Sequence, residues 1–460
     1  MDRARLQDTI IAVSTPPGIG GLGVLRLSGP ESLAVARKIF FPARKITHPF
    51  PPLTAVFGKV REGGKGRVLD EAFMVYFPAL RSYTREDVVE ISCHGSPAVL
   101  EEAVRLGVAA GAKPALPGEF TLRAYLRGRI DILQAEAVQS LIQSVTLEQA
   151  QAAIGQVRGS LSRSVARLRE KLVELMALIE AGIEFSEEAG AGGGAEIRKL
   201  ILDCREAAGK LAASYETGRA ITEGIRVAIA GKPNAGKSTL FNALLGRERA
   251  IVAPLPGTTR DYISERLPAG GTNIVLTDMA GLGEARDPLE EEGVKRSRAL
   301  ADESDGILLI LDASRPDTKD DRRFVSGFRG RKLILVFNKT DLPVNIDRQR
   351  ILSHLPGVPH LDVSALRGSG VGELKEMMSG VFSPGREFTE EIVLHLRQKL
   401  LLGEIERAMT LALERMDARY SEEFCAEEVR AALGHVGRLT GEVASDEVLE
   451  AVFGRFCVGK

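Results

Sequence analysis

Apolar and polar positions follow three different rhythms along the chain. Over roughly the first 120 residues the apolar runs are short and turn-forming residues separate them. Thr9 to Val13, Gly23 to Leu27, Ala72 to Phe77 and Asp87 to Ser92 read as strands. Thr15-Pro16-Pro17-Gly18-Ile19-Gly20-Gly21 reads as a turn, and Pro42, Pro49, Pro51 and Pro52 punctuate the stretch. The pattern predicts a small α+β domain over residues 1–120.

From about residue 121 to Phe185 there is no proline and helix formers dominate. Leu161, Val165, Leu168, Leu172, Leu175 and Ile179 recur at alternating spacings of four and three, which puts them on one helix face. Gly190, Gly192, Gly193 and Gly194 then predict a flexible break. Between 221 and 381, apolar strands at Ile225 to Ala230, Ile274 to Thr277, Ile307 to Leu311 and Leu333 to Phe337 alternate with helical segments. That is the rhythm of an α/β domain with a mostly parallel sheet. After Pro384 the chain is helical again to Lys460. The expected organisation is a multidomain α/β protein. An α/β domain (221–381) is inserted into a helical domain, whose parts are residues 121–220 and 382–460. No repeat of fixed period is evident.

Composition narrows the class. Lys and Arg total 61 and Asp and Glu 62, for a net charge of -1, so no global positive field draws the chain onto nucleic acid. Any RNA contact must use a local patch or a partner. No apolar run is long enough to span a membrane, and the first residues lack the apolar core of a secretion signal. Cys93, Cys204, Cys425 and Cys457 lie far apart, which supports neither a zinc ribbon nor a disulfide scaffold. A cytoplasmic protein with reduced thiols and no membrane association is expected.

Chemistry concentrates in the α/β stretch. Gly231-Lys232-Pro233-Asn234-Ala235-Gly236-Lys237-Ser238 fits the phosphate-loop pattern G-x-x-x-x-G-K-[ST], with Thr239 continuing into the helix that follows. Backbone amides and the helix N-terminus would cradle phosphates, Lys237 would bridge the β- and γ-phosphates, and Ser238 would ligate Mg²⁺. Asp278-Met279-Ala280-Gly281 and Asn338-Lys339-Thr340-Asp341 each end an apolar strand. A carboxylate at Asp341 accepts from the two nitrogens of the guanine edge, where adenine offers the wrong donors, so GTP is selected over ATP. Ser364-Ala365-Leu366 fits the loop that backs the guanine oxygen. Gly257-Thr258-Thr259 lies where a first switch should be, and a switch threonine can complete the Mg²⁺ shell. After the second motif stands Leu282, which cannot orient water. A monovalent cation near Asn234 could instead offset developing charge, and the acidic run Glu290-Glu291-Glu292 is the nearest candidate to position water. These residues predict a GTPase.

Further motifs carry a resemblance over essentially the whole chain. They are T-P-P-G-x-G-G-x-G at Thr15 to Gly23, P-G-E-F at Pro117 to Phe120, D-x-x-Q-A-E-A at Asp131 to Ala137, G-T-T-R-D at Gly257 to Asp261, and F-C-x-G-K at Phe456 to Lys460. With the GTPase motifs, they resemble the MnmE (TrmE) family of tRNA-modification GTPases. The resemblance implies an N-terminal folate-binding-like domain that forms the homodimer, a two-part helical domain, and an inserted Ras-like G domain. It implies GTP hydrolysis stimulated by K⁺ as two G domains dimerise. Asn234 and Thr258 side chains and the Ala253 and Leu255 carbonyls would hold K⁺; Ser238 and Thr259 would hold Mg²⁺. Pro254 and Pro256 complete this GTP-binding loop, and Glu290 would be the catalytic glutamate. It further implies an FAD-dependent partner, MnmG, in a hetero-oligomer that carries most of the tRNA contact. The product would be an aminomethyl-type group on carbon 5 of the wobble uridine, position 34. A tetrahydrofolate derivative in its 5-formyl or methylene form would supply the carbon, and ammonium or glycine the amine. Arg26, Glu90, Arg129 and Lys460 would bind the folate, and Cys457 would assist the modification. Met279 replaces the family's usual Thr, Arg129 a common Lys, and two prolines stand in the potassium loop.

The alternatives are a regulatory or ribosome-assembly GTPase without folate chemistry, and a one-carbon transferase acting alone. The first usually carries an RNA-binding domain after its G domain, and no G-x-x-G nucleic-acid loop is clear here. For the second, no self-sufficient catalytic set is visible. Cys93-His94 resembles a nucleophile–base pair, but neighbours on a strand point to opposite faces.

Overall fold

The computed structural model describes residues 7–46, 50–64, 66–184, 194–246, 263–269, 272–278, 304–382, 391–418 and 420–460. The chain divides into two compact units. One comprises Met1–Gln139, Gln156–Lys210 and Leu400–Lys460, the other Ser140–Gly155 and Leu211–Lys399.

The first unit opens with β1 (Ile10–Val13), β2 (Gly20–Ser28), α1 (Ser32–Ile39), β3 (Phe40–Pro42), β4 (Val56–Arg61), β5 (Val68–Phe77), β6 (Val88–Gly95), α2 (Pro97–Ala109) and β7 (Lys113–Pro114). The seven strands form one sheet in the order β3-β4-β5-β6-β2-β1-β7, with only β1 and β7 parallel. Alternation sets the faces: Leu25 and Leu27 enter the core with Met74, Val89 and Ile91, so Arg26 and Glu90 stand together on the opposite face. β2 starts at Gly20, inside the expected turn. Its pairing shifts between Gly20 and Gly23, because glycines accommodate the irregular register.

Next along the chain come α3 (Glu119–Leu126), α4 (Ile132–Ile142), α5 (Leu147–Val157), α6 (Ser160–Glu184) and α7 (Gly194–Ala213), of which α5 falls in the second unit but for its last two residues. The P-G-E-F residues anchor α3 through charge. Arg123 is 1% exposed and donates to Glu119 at 3.0 Å, to Glu86 at 3.1 Å and to the Asp8 carbonyl at 2.7 Å. Burial is tolerated because each charge meets a partner. In the D-x-x-Q motif, the Gln134 amide donates to the Asp131 carboxylate at 2.8 Å and the Asp131 amide to Gln134 Oε1 at 3.1 Å, closing the start of α4. The six periodic apolar residues of α6 are all buried, as their spacing requires. Gly194 opens α7; Gly190, Gly192 and Gly193 lie outside the described residues.

The second unit contains α8 (Tyr215–Thr222), β8 (Ile225–Gly231), α9 (Lys237–Leu245), β9 (Ile263–Ala269), β10 (Thr272–Asp278), β11 (Gly306–Asp312), α10 (Lys319–Ser326), β12 (Leu333–Asn338), α11 (Arg348–Leu352), β13 (His360–Val363) and α12 (Val371–Phe382). The sheet order is β13-β12-β11-β8-β10-β9, and only β9 runs antiparallel to its neighbour. β11 and β12 read as continuous apolar runs because both of their faces are covered. Leu240 and Leu244 of α9 and Leu374 and Met378 of α12 fill one face; Phe324 and Val325 of α10 and Ile351 of α11 fill the other. Such a doubly wound sheet binds ligands beyond the carboxyl ends of its strands, where the order reverses.

The chain ends with α13 (Leu396–Asp417), α14 (Glu422–Thr440) and α15 (Asp446–Phe453). α14 packs along α6, contributing Val429, Ala432, Val436 and Leu439 to the buried side of the pair. Together these features make a multidomain α/β protein whose inserted unit has a mostly parallel, G-domain-like sheet.

Candidate functional site

The nucleotide candidates gather at the carboxyl edge of the second sheet. β8 runs into the loop Lys232 to Gly236, and α9 starts at Lys237. Asn234 and Gly236 both have positive φ, 63° and 92°, which turns the chain sharply enough to aim amides inward. A Cβ on Gly236 would collide with the Asn338 amide nitrogen, so this position requires glycine on two grounds. The Lys237 ammonium donates to the carbonyls of Gly231 at 2.9 Å and Lys232 at 3.1 Å, arching over its own loop. Lys232 is pinned sideways to Asp321 at 2.9 Å. Ser238, Thr239 and Asn234 are exposed at the mouth, while Ala235 is buried.

Asn338 ends β12 and is 1% exposed. Its side-chain NH₂ donates to the Ala235 carbonyl at 2.9 Å, and its side-chain oxygen accepts from the Ala365 amide at 3.0 Å. One residue thereby ties the phosphate loop to the base loop. The sequence marks Asn338 as a base-loop residue, but nothing local reveals this bridge. The Ala365 amide is occupied by it, which leaves the Leu366 amide, on a residue 78% exposed, as the donor of that triplet with no acceptor among the described residues. The Ser364 hydroxyl donates to Asp341 at 2.6 Å. That bond, ahead of opposing desolvation, holds the Asp341 carboxyl below the usual aspartate range, so it stays an acceptor. Lys339 sits at φ 66° and its ammonium reaches Asp312, at the end of β11, at 2.7 Å. Burial raises the Asp312 carboxyl, but the bonds from Lys339 and Ser314 outweigh it and lower the net value. The backbone of Thr340 joins in through its amide, which donates to the Val363 carbonyl at 3.3 Å.

Asp278 ends β10, its backbone beside Ile229 of β8. Ala253, Pro254, Leu255, Pro256, Gly257, Thr258, Thr259, Met279, Ala280, Gly281 and Glu290 lie outside the described residues.

The first unit holds a second polar cluster. Arg26 and Glu90 are direct cross-strand partners, joined at 2.8 Å. Arg26 also donates to the Gly459 carbonyl at 3.3 Å, and the Ser14 hydroxyl to the same oxygen at 3.1 Å. Gly459 sits at φ 93° with its α-carbon hydrogens against the Val13 carbonyl and Ser14, leaving no room for a side chain. Pro117 bridges to Val458, and the Phe120 amide donates to the Lys460 carbonyl at 3.1 Å. The F-C-x-G-K segment is thus laid over the P-G-E-F turn beside Arg26. Cys457 is exposed there.

Nothing local in the sequence marks Tyr83 as part of this cluster. It donates to the Thr121 hydroxyl at 3.2 Å. Burial raises its phenol, opposed by the Thr121 bond and by the charges of Arg26 and Arg129. Arg129, exposed, therefore acts on the same group as Arg26. The distance in sequence from Tyr83 to either arginine hides this. Cys93 and His94 are not a pair. Burial pushes the Cys93 thiol up to about 12, and exposed His94 reaches Asp70 at 2.7 Å.

The chain matches two family models: "MnmE helical domain" over residues 132–457 and "GTP-binding protein TrmE N-terminus" over residues 9–129. A protein of Natranaerobius thermophilus named tRNA modification GTPase MnmE is 38% identical over 99% of this chain and 100% of its own length. One of the same name from Geobacter sulfurreducens is 40% identical, also over 99% and 100%. The G domain of the T. maritima FeoB iron transporter aligns at 29% identity over 34% of this chain and 98% of that one, with TM-score 0.27.

Proposed function

Because the chain belongs to the MnmE family of tRNA modification GTPases, we propose that it couples GTP hydrolysis to one-carbon modification of a wobble uridine. The observation that carries the nucleotide half is the Asn338 bridge, which holds the phosphate loop and the Asp341 loop as one cradle. GTP would lie along the carboxyl edge, its guanine on Asp341 and the Leu366 amide, its phosphates on the 234–239 amides and Lys237. The exposed Ser238 hydroxyl at the start of α9 suits Mg²⁺, with Thr259 as its second protein ligand. Bound there, Mg²⁺ would neutralise phosphate charge. The exposed Asn234 side chain suits K⁺, together with Thr258 and the carbonyls of Ala253 and Leu255. Glu290 would orient the attacking water.

Arg26, Glu90, Arg129 and Lys460 would hold a tetrahydrofolate derivative, 5-formyl or methylene, which supplies the carbon. A carboxylate suits the donor edge of a pterin, and the cations suit the carboxylates of its tail. Cys457, exposed beside this cluster, would assist the modification. Residues 1–120 would form the folate-binding and dimerisation domain, 121–220 and 382–460 the helical domain, and 221–381 the G domain. The chain would work as a cytoplasmic homodimer with the FAD-dependent MnmG, which presents most of the tRNA. No helix among the described residues is long and apolar enough to cross a membrane.

Steady-state GTP hydrolysis in K⁺ against Na⁺ buffer, with Glu290→Ala alongside, tests the reading. It expects strong K⁺ stimulation that the variant loses. Equal rates in both salts would remove the potassium site. Loss of 5-formyltetrahydrofolate binding in Glu90→Gln, with GTPase activity kept, is the matching result for the folate cluster.

A further inference from the structure

With a net charge of -1, any RNA contact that this chain makes itself needs a local cationic surface. One stands on the first unit, away in the sheet from the Arg26 strand. α1 ends in Arg37 and Lys38 and runs directly into β3, the edge strand of the seven-stranded sheet. The loop after β3 carries Arg44 and Lys45. Between them opens a cavity of about 250 Å³, lined by Arg37, Arg44 and Lys45 over Phe40, Phe41 and Phe50, with no carboxylate among the described residues of its wall.

Three features make this a binding surface rather than ordinary solvated charge. Phe40 and Phe50 are 1% and 4% exposed, so these two rings of the floor belong to the core. Lys38 is engaged by the Ala110 carbonyl at 2.9 Å, whereas Arg44 and Lys45 are exposed and have no ion-pair partner among the described residues. Arg37 lies over the Phe50 ring at 5.8 Å and Arg61 over Phe41 at 4.2 Å, so two guanidinium groups are held by aromatic faces. The cavity is smaller than the roughly 300–1,000 Å³ of small-molecule sites. It fits one phosphate group with its sugar, not a whole cofactor.

We propose that this cavity is a phosphate-contact site for the backbone of the substrate tRNA, with Arg44 and Lys45 as its principal cations. The proposal rests on the tRNA-modification reading and adds to it a surface on this chain itself. Such contacts set affinity and orientation without reading sequence.

The test is binding of fluorescently labelled, unmodified tRNA to the full chain across a KCl series, for wild type and Arg44→Gln/Lys45→Gln. Each lost phosphate contact should lower the slope of log affinity against log salt by about 0.7–0.9. The double variant should therefore lose roughly 1.4–1.8 of that slope and about tenfold or more in affinity near 0.1 M salt. GTP hydrolysis and melting temperature should not change, because both residues are exposed and neither belongs to the nucleotide site. Charge reversal, Arg44→Glu/Lys45→Glu, should weaken binding further. An unchanged slope overturns the proposal. So does a wild type that binds no tRNA, and the function reading then stands or falls separately on modification with the partner present. Loss of inorganic phosphate binding with tRNA binding intact would make this a small-anion pocket and overturn it. A variant that turns monomeric would make the surface a self-association face, with the same consequence.

Discussion

Replacing Asn338 with alanine should separate the phosphate loop from the base loop without touching a residue expected to contact the reacting phosphates. The substitution removes a donor 2.9 Å from the Ala235 carbonyl and an acceptor 3.0 Å from the Ala365 amide. Both abandoned groups belong to buried residues, 1% and 7% exposed. An orphaned buried backbone group costs about 1–3 kcal/mol, so the pair should cost about 2–4 kcal/mol after local relaxation. Part falls on stability. The rest falls on nucleotide binding, since a ligand must re-order two loops that are no longer held together. At 1.4 kcal/mol per decade, the dissociation constant for GDP should rise by roughly ten- to a hundredfold. Titration of N-methylanthraniloyl-GDP reads this cleanly, because the chain has no tryptophan to interfere. Asn338→Asp should not rescue: it restores the acceptor for Ala365 but sets a carboxylate against the Ala235 carbonyl. An affinity within about twofold of wild type for Asn338→Ala, well under 1 kcal/mol, would refute the bridge as an organising element.

Other expectations follow from burial and charge. Leu172→Ala, in a fully buried position of α6, should lower stability by about 2–5 kcal/mol, read from denaturant unfolding by far-UV circular dichroism. Of the four thiols, only Cys457 should react with a thiol reagent in the native protein, since Cys93, Cys204 and Cys425 are buried. Burial pushes Cys93 and Cys204 up to about 12 and about 11; rapid labelling of more than one thiol would contradict this. At Asp321, burial raises the carboxyl, but bonds from Thr318 and Lys232 outweigh it and the folded value lies below 3.8. Its stabilisation is complete above 3.8 and is lost as pH falls through the lower folded value, so Asp321→Asn should flatten the acid limb of a melting-temperature profile.

The legible parts of this fold are those where local chemistry and tertiary burial agree. β8, β10, β11 and β12 announce themselves because their apolar runs are buried. The α6 face is legible because its six buried positions repeat with the helix. β3 and β13, at three and four residues, are too short to carry a period, and β9, at the sheet edge, interrupts its apolar residues with Ser264, Glu265, Arg266 and Pro268. Their strand character comes from pairing with a neighbour. The site divides the same way. Its phosphate loop, Asp341 loop and Arg26–Glu90 strand positions are visible as local patterns. The Asn338 bridge, the Lys339–Asp312 pair and the placement of Tyr83 join residues far apart in sequence. Only the folded chain brings them together.

The central claim is that the second unit selects and hydrolyses GTP, with Asp341 reading the base. Hydrolysis of GTP, ATP and xanthosine triphosphate by wild type and Asp341→Asn tests it most directly. Guanine presents two donors to a carboxylate, whereas xanthine replaces the amine with a carbonyl that an asparagine amide can serve. Wild type should hydrolyse GTP alone, and the variant should lose GTP and gain xanthosine triphosphate. Equal use of ATP by wild type, or unchanged GTP hydrolysis in the variant, would contradict the account.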